Sequence, residues 1–362
     1  MSSLDPPGDL IPLSTAEFSV PWLDAVLVNA AIDAPPIDSI EFVELDVEVL
    51  TSSIVRVRPR YRGPTGEAPA SLIWKRSHED VGRREAFAHG YVREVEFYRE
   101  VAPTVDVSVP RCYAAGFDEV TGAHVLLLED LAPGRRGDFL EGIDAERAVG
   151  VVRELARLHA ARWSEAAPRG PEEFASYQTF FDRYTEPSAT YLEQHTGGRV
   201  AERNRRYRTS VAGWFAELSE GPQTLCHSDA HAANVMFPVS PADRPYLLDW
   251  QAWRMDAGIR DIVRFVILGM AVEERRVHEH ELLEAYLGAL RARGVSYGVD
   301  VAQRDYRVAS TLQWGWAVNF FRHEQIWDAS TREAMPELVR RAGAAFDDAV
   351  GWLDANQSLR EL

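Results

Sequence analysis

The chain has 362 residues, of which 46% are apolar, 10% aromatic and 26% charged, which excludes disordered, collagen-like and coiled-coil classes. With 39 Lys plus Arg against 56 Asp plus Glu, the formal charge of −17 speaks against nucleic acid and anionic membrane surfaces as partners and leans slightly toward a cationic small molecule. The longest apolar run, Phe265–Val272, falls well short of the about 20 residues that span a bilayer. Two distant cysteines, Cys112 and Cys226, make no disulfide framework, and the start Met1-Ser2-Ser3-Leu4 lacks a basic, apolar leader. A cytoplasmic protein with reduced thiols is expected.

Residues 1–38 read as an extension punctuated by prolines, with room for one helix around Trp22–Ala31. Strand-like alternation follows over Ile40–Leu50 and, more clearly, over Ser53–Tyr61. A Gly/Pro-rich turn at Arg62–Gly66 leads into a third strand, Ala70–Arg76, which ends in Lys75 and Arg76. Helical spacing of Phe87, Tyr91, Val95 and Tyr98 predicts a helix from about Gly82 to Val101. Val107–Ala115 and His124–Leu128 complete a five-stranded antiparallel set. From Asp144, a predicted N-cap, the pattern is mostly helical. The expected organisation is α+β: an extension (1–38), a small antiparallel β-rich lobe (39–131) and a larger helical lobe (132–362), joined near Ala132-Pro133-Gly134.

The chemistry concentrates in Leu225-Cys226-His227-Ser228-Asp229-Ala230-His231-Ala232-Ala233-Asn234. Asp229 sits two residues after His227, Asn234 five after Asp229, and Asp249-Trp250-Gln251 follows fifteen residues later. Phosphoryl transfer calls for such a set: one carboxylate to orient an acceptor hydroxyl and take its proton, with an amide oxygen and a second carboxylate to hold Mg²⁺ on nucleotide phosphates. Upstream, Lys75 ends a strand and Glu94 lies nineteen residues later on the following helix, a spacing that suits a phosphate-gripping Lys and its ion-pair partner. Glu96 and Glu100 compete with Glu94 and read as a solvated face.

These segments resemble the aminoglycoside phosphotransferase and choline kinase group, and within it the ecdysteroid-kinase-like branch. Arg93-Glu94-Val95-Glu96-Phe97-Tyr98, Leu128-Glu129-Asp130-Leu131, Leu155-Ala156-Arg157-Leu158-His159-Ala160 and the Asp-Trp-Gln triplet carry the likeness, from about Trp22 to about Phe320. The resemblance implies a protein-kinase-like two-lobed fold, ATP or GTP, Mg²⁺ and a small-molecule hydroxyl acceptor. It assigns Asp229 as catalytic base and Asn234 and Asp249 as metal ligands. Lys75 would grip phosphate with Glu94 as its partner, and the Glu129–Leu131 backbone would receive the nucleobase. Two departures stand out. Ser228 occupies a position where the family usually has Gly, and the phosphate-covering stretch Leu50-Thr51-Ser52-Ser53 holds no glycine, leaving Ser52 and Ser53 as its phosphate contacts.

Other polar residues read as structural. His227 anchors the loop through the backbone, Asp261 braces it, and His159 is a core or interlobe histidine, while His231 stays open between roles. Trp314, Trp316, Phe320 and Phe321 read as core before acceptor pocket. Two competing readings remain: a metal-dependent hydrolase using His227, Asp229, His231 and Asp249, and a catalytically silent nucleotide-binding protein.

Overall fold

In the computed structural model, which describes residues 4–8, 11–45, 52–165, 171–327 and 329–356, the alternating Ser53–Tyr61 run is a strand with the expected bounds. Five strands, β1 (Ile37–Glu44), β2 (Ser53–Tyr61), β3 (Leu72–Arg76), β4 (Cys112–Phe117) and β5 (His124–Glu129), form one sheet in the order β1-β2-β3-β5-β4. Every neighbouring pair is antiparallel. Register sorts the two faces. Val55, Trp74 and Leu127 form one cross-strand row, and Ile54, Lys75 and Leu126 form the adjacent one. Because side chains alternate with period two, these rows lie on opposite faces.

The Val55 row faces a core built with Phe18 and with Trp22, Leu23, Val26 and Leu27 of helix α1 (Val20–Asn29). The stretch expected to be an extension therefore supplies a wall of the core. Two units emerge, one comprising residues 1–134 with 248–253, the other 135–247 with 254–362. Helix α2 (Val81–Glu96) belongs to the first unit and starts at Asp80, whose carboxylate accepts from the Arg83 N–H at 2.8 Å. The helix predicted to reach Val101 is α-helical only to Glu96 and continues as a π-turn, Phe97–Val101. The strand predicted over Ile40–Leu50 runs instead from Ile37 to Glu44, and residues 46–51, with Leu50 and Thr51, lie outside the described residues.

The second unit opens with β6 (Arg135–Arg136) and α3 (Ala145–Ala161), capped by Asp144 as predicted. There follow α4 (Pro171–His195), α5 (Val200–Glu220), β7 (Gln223–Cys226), β8 (Val235–Phe237), β9 (Tyr246–Leu247) and β10 (Arg254–Ala257). The chain ends in α6 (Ile259–Gly269), α7 (Val272–Arg291), α8 (Val299–Asn319) and α9 (Ala329–Ala355). The α8 helix lies deep in this unit, burying Trp314 completely. Gly315 is required there, since a Cβ would lie 2.0 Å from the Tyr207 hydroxyl. Two small ribbons, β7–β10 and β6-β8-β9, flank the loop from His227 to Asn234. Among the described residues, no helix is long and apolar enough to cross a membrane.

Candidate active site

The first cluster of interest lies in the unit containing the five-stranded sheet. Lys75 points to the face opposite Trp74, where α2 presents Tyr91, Glu94 and Val95 as its buried residues. Its ammonium contacts Glu94 at 2.7 Å and Asp249 at 3.0 Å. Helix phase chooses among the three glutamates, for Glu94 is 1% exposed whereas Glu96 is half-buried and Glu100 exposed. Burial lowers the pKa of Lys75, but Asp249 and Glu94 more than offset it, so the group stays charged with its pKa raised. Two carboxylates share this one ammonium, and burial raises the pKa of Glu94.

Asp249 reaches Lys75 because residues 248–253 are fastened to α2 and its π-turn. Trp250 stacks on Phe97 with centroids 3.7 Å apart. The Trp253 indole N–H donates to the Arg93 carbonyl at 2.7 Å, beneath the Arg93 guanidinium. Gln251 donates to Glu94 at 3.5 Å and fills the space left by Gly90, where a Cβ would lie 3.0 Å from its Oε1. Gln251, the third member of the Asp-Trp-Gln triplet, thus has a role that the sequence alone does not assign. Asp249 itself sits at φ +64°, a left-handed conformation costly for a non-glycine residue and frequent at functional positions.

The remaining expected nucleotide contacts lie in the same unit. Ser53 opens β2 opposite Arg76, and Ser52 is buried with an Oγ that has no partner. At the sheet's other end, the Glu129 N–H donates to the Arg111 carbonyl and the Leu131 carbonyl accepts from the Gly134 N–H, each at 2.8 Å. Between them Asp130 anchors the segment through Arg56 at 2.6 Å and Ser71 at 2.7 Å.

In the helical unit, the β7–β8 loop brings Asp229 and Asn234 together. The Asn234 Nδ2 donates to the Asp229 carbonyl at 3.0 Å and lies 3.4 Å from Oδ2. Asp261 braces the loop, accepting from the His227 N–H at 2.6 Å and the Ser228 N–H at 2.8 Å. The His159 ring ties Asp261, at 3.3 Å, to the Tyr286 hydroxyl, at 2.9 Å. His227 Nδ1 accepts from the Asp229 N–H at 3.3 Å, an anchoring role. His231 Nε2 lies 3.5 Å from Asp229 Oδ2 and 3.2 Å from Asn234 Nδ2, while its buried Nδ1 has no partner.

The sequence does not single out Arg264. Its Nη2 and Nε donate to Asp229 Oδ1 at 2.7 and 3.1 Å. The available signal was an arginine inside the apolar run of α6, three residues after Asp261 and so on the same helix face. Desolvation pushes the Asp229 carboxyl up, but Arg264 and the His231 and His227 imidazoles outweigh it and hold the group well below the usual carboxylate range. It is ionised at any working pH.

The donor chemistry suits Mg²⁺. Asn234 uses its Nδ2 internally and keeps the Oδ1 oxygen, and Asp249 gives only Oδ1 to Lys75; hard oxygens of this kind are what Mg²⁺ takes. Among the described residues, the group of His, Cys, Asp or Glu whose ligand atoms lie within 4.8 Å of one another is His159, Cys226 and Asp261; His159 and Asp261 belong to the loop brace, and the Cys226 thiol donates to the Thr224 and Asp256 carbonyls.

The sequence profile of the ecdysteroid kinase-like family matches residues 46–294, more than half of the chain. The chain belongs to the ecdysteroid kinase-like family. An uncharacterised kinase-like protein of Caenorhabditis elegans is 24% identical over 158 residues, 41% of this chain and 42% of that protein, so the match spans less than half of the curated relative. Among solved structures, choline kinase from Cryptosporidium parvum aligns with a TM-score of 0.52 at 9% identity, covering 88% of this chain and 91% of that one. The GDP complex of aminoglycoside 2'-phosphotransferase-IIIa aligns with a TM-score of 0.51 at 12% identity, covering 90% and 99%. At such identities the likeness concerns the fold, which is protein-kinase-like: an antiparallel β-sheet region followed by a helical one.

Proposed function

We propose that this member of a small-molecule phosphotransferase family moves the γ-phosphoryl group of ATP or GTP to a hydroxyl of a small organic acceptor. The observation that carries the reading is the buried Lys75 ammonium held between Glu94 and Asp249, a preset cation of the kind that grips nucleotide phosphates. Ser52, with its unpartnered Oγ, and Ser53 are the phosphate contacts from the edge of β2. The Glu129 carbonyl and the Leu131 N–H are the groups offered to the nucleobase.

Asp229 orients the acceptor hydroxyl and receives its proton. Oδ1 is saturated by Arg264, so Oδ2, held only by long contacts to Asn234 and His231, is the oxygen left for the acceptor. With its pKa depressed, Asp229 is a weak base, which suits a transition state in which the nucleophile loses its proton late and positioning dominates. Asn234 Oδ1 and the Asp249 carboxylate are the groups that would hold Mg²⁺, which would supply charge neutralisation on the phosphates.

The test is Asp229→Asn, assayed by ADP release over a panel of hydroxylated metabolites. Turnover is expected to fall about 10²–10⁴-fold, with the nucleotide dissociation constant within about twofold of wild type. Undiminished turnover refutes the role of Asp229. A silent nucleotide-binding protein would instead bind nucleotide and release no ADP with any acceptor.

A further inference from the structure

Alcohol kinases that accept amines need something in the acceptor pocket to receive a positive charge, either an uncompensated carboxylate or an open aromatic face. Near Asp229 the helical unit offers one of each, and the protein's own arginine takes up both. The Arg264 guanidinium makes two hydrogen bonds to Asp229 Oδ1, at 2.7 and 3.1 Å. Its other side lies over the Trp316 ring, with Cζ 5.2 Å from the centroid. The Arg264 side chain is 16% exposed and that of Asp229 34%, so the guanidinium is largely shielded from water while the carboxylate keeps an open edge. Trp316 is half-buried and continues into Phe320, 5.3 Å away, and then Trp327, 5.6 Å further on, an aromatic surface distinct from the fully buried Trp314.

We propose that Arg264 determines acceptor specificity: by neutralising Asp229 and covering Trp316 it excludes acceptors bearing an ammonium group and restricts the site to uncharged or anionic alcohols. This rests on the reading of Asp229 as the group that meets the acceptor hydroxyl. The net charge of −17 favoured a cationic acceptor, but it sums over a surface of 16670 Å², whereas the charge that meets an acceptor is the one within a few ångströms of Asp229. There the nearest charged side chain is a guanidinium fixed by planar, two-bond geometry that a lysine would not reproduce. The two partners cooperate: the carboxylate sets the plane of the guanidinium, and the ring keeps it from swinging into solvent.

The experiment uses the full chain saturated with a non-hydrolysable ATP analogue and Mg²⁺. Binding of choline and of its uncharged isostere 3,3-dimethylbutan-1-ol is measured by calorimetry for wild type and for Arg264→Gln, with thermal melting as the check on folding. Wild type is expected to prefer the isostere. Arg264→Gln should gain at least about tenfold in choline affinity relative to the isostere, because an anionic carboxylate and an aromatic face become available together. The double variant Arg264→Gln/Trp316→Leu should lose most of that gain. Choline binding no better in Arg264→Gln than in wild type overturns the proposal, and so does a gain that survives loss of Trp316. Should Arg264→Gln fail to fold, Arg264→Met is read by the same criterion. Equilibrium binding does not depend on turnover, so these outcomes separate from a failure of Asp229→Asn, which concerns the catalytic reading alone. A gain of function is also not a result that a merely structural arginine would give.

Discussion

Ser228 offers the sharpest test of how the catalytic loop is built. It sits at φ +65°, its N–H donates to Asp261, and its Oγ is buried without a partner. Holding an L-residue in the left-handed region costs about 1–2 kcal/mol, and a buried hydroxyl without a partner costs roughly a further 1–3 kcal/mol. Ser228→Ala removes only the second cost and should stabilise the helical unit by about 1 kcal/mol. Ser228→Gly removes both and gives back about 0.5–1 kcal/mol as chain entropy, for a net gain near 1.5–2 kcal/mol. Urea unfolding followed by tryptophan fluorescence is a direct assay, since the chain carries 10 tryptophans. The expected order of midpoints is Gly above Ala above Ser at constant m-value. An alanine variant as stable as the glycine variant would show that the backbone is unstrained there. A loss of stability in both would show that the hydroxyl does find a partner, and either result refutes the reasoning.

Glu94→Gln leaves the buried Lys75 with Asp249 alone, so the nucleotide dissociation constant should rise about tenfold or more, whereas Asp229→Asn leaves it nearly unchanged; equal effects in the two variants would undo the division of labour. The two units should also respond oppositely to acid. His124 is fully buried, with both ring nitrogens unpartnered, and burial, then Lys75, hold its pKa well below 6.5. The unfolded chain therefore takes up the proton first, and the sheet unit should lose up to about 1.4 kcal/mol per pH unit as pH falls below about 6.5. Burial raises Asp305 in α8 to about 6, against a lowering by the Tyr297 hydrogen bond. The folded state binds that proton more tightly, so the helical unit should gain stability as pH falls through 6 toward 3.8. Opening free energies from hydrogen exchange at pH 5 and 7.5 resolve the two, and a parallel change in both units contradicts the assignment.

Much of the site was legible in the linear chain for a definable reason. Strand alternation marks faces, so the placement of Lys75 opposite Trp74 follows from period two. Helix phase likewise puts Glu94 with Tyr91 on one side of α2. The set His227, Asp229 and Asn234 lies within one loop, where short spacing limits how far the side chains can separate. Arg264 escaped notice because its partner Asp229 lies 35 positions away, and nothing in an apolar helix run says which neighbouring loop will face an embedded arginine.

What the amino-acid order decided alone is the repertoire: five antiparallel strands, a helical remainder, and a set of residue types suited to phosphoryl transfer. Periodicity and short-range spacing are local properties, and local steric and hydrogen-bonding rules read them. Tertiary structure decided the partners. The proline-rich opening became a core wall through α1, residues 248–253 joined the sheet unit so that Asp249 meets Lys75 across 174 positions, and Asp229 acquired a guanidinium. Such pairings depend on how finished elements pack, and packing energy is collected from surfaces that are assembled only when distant segments meet.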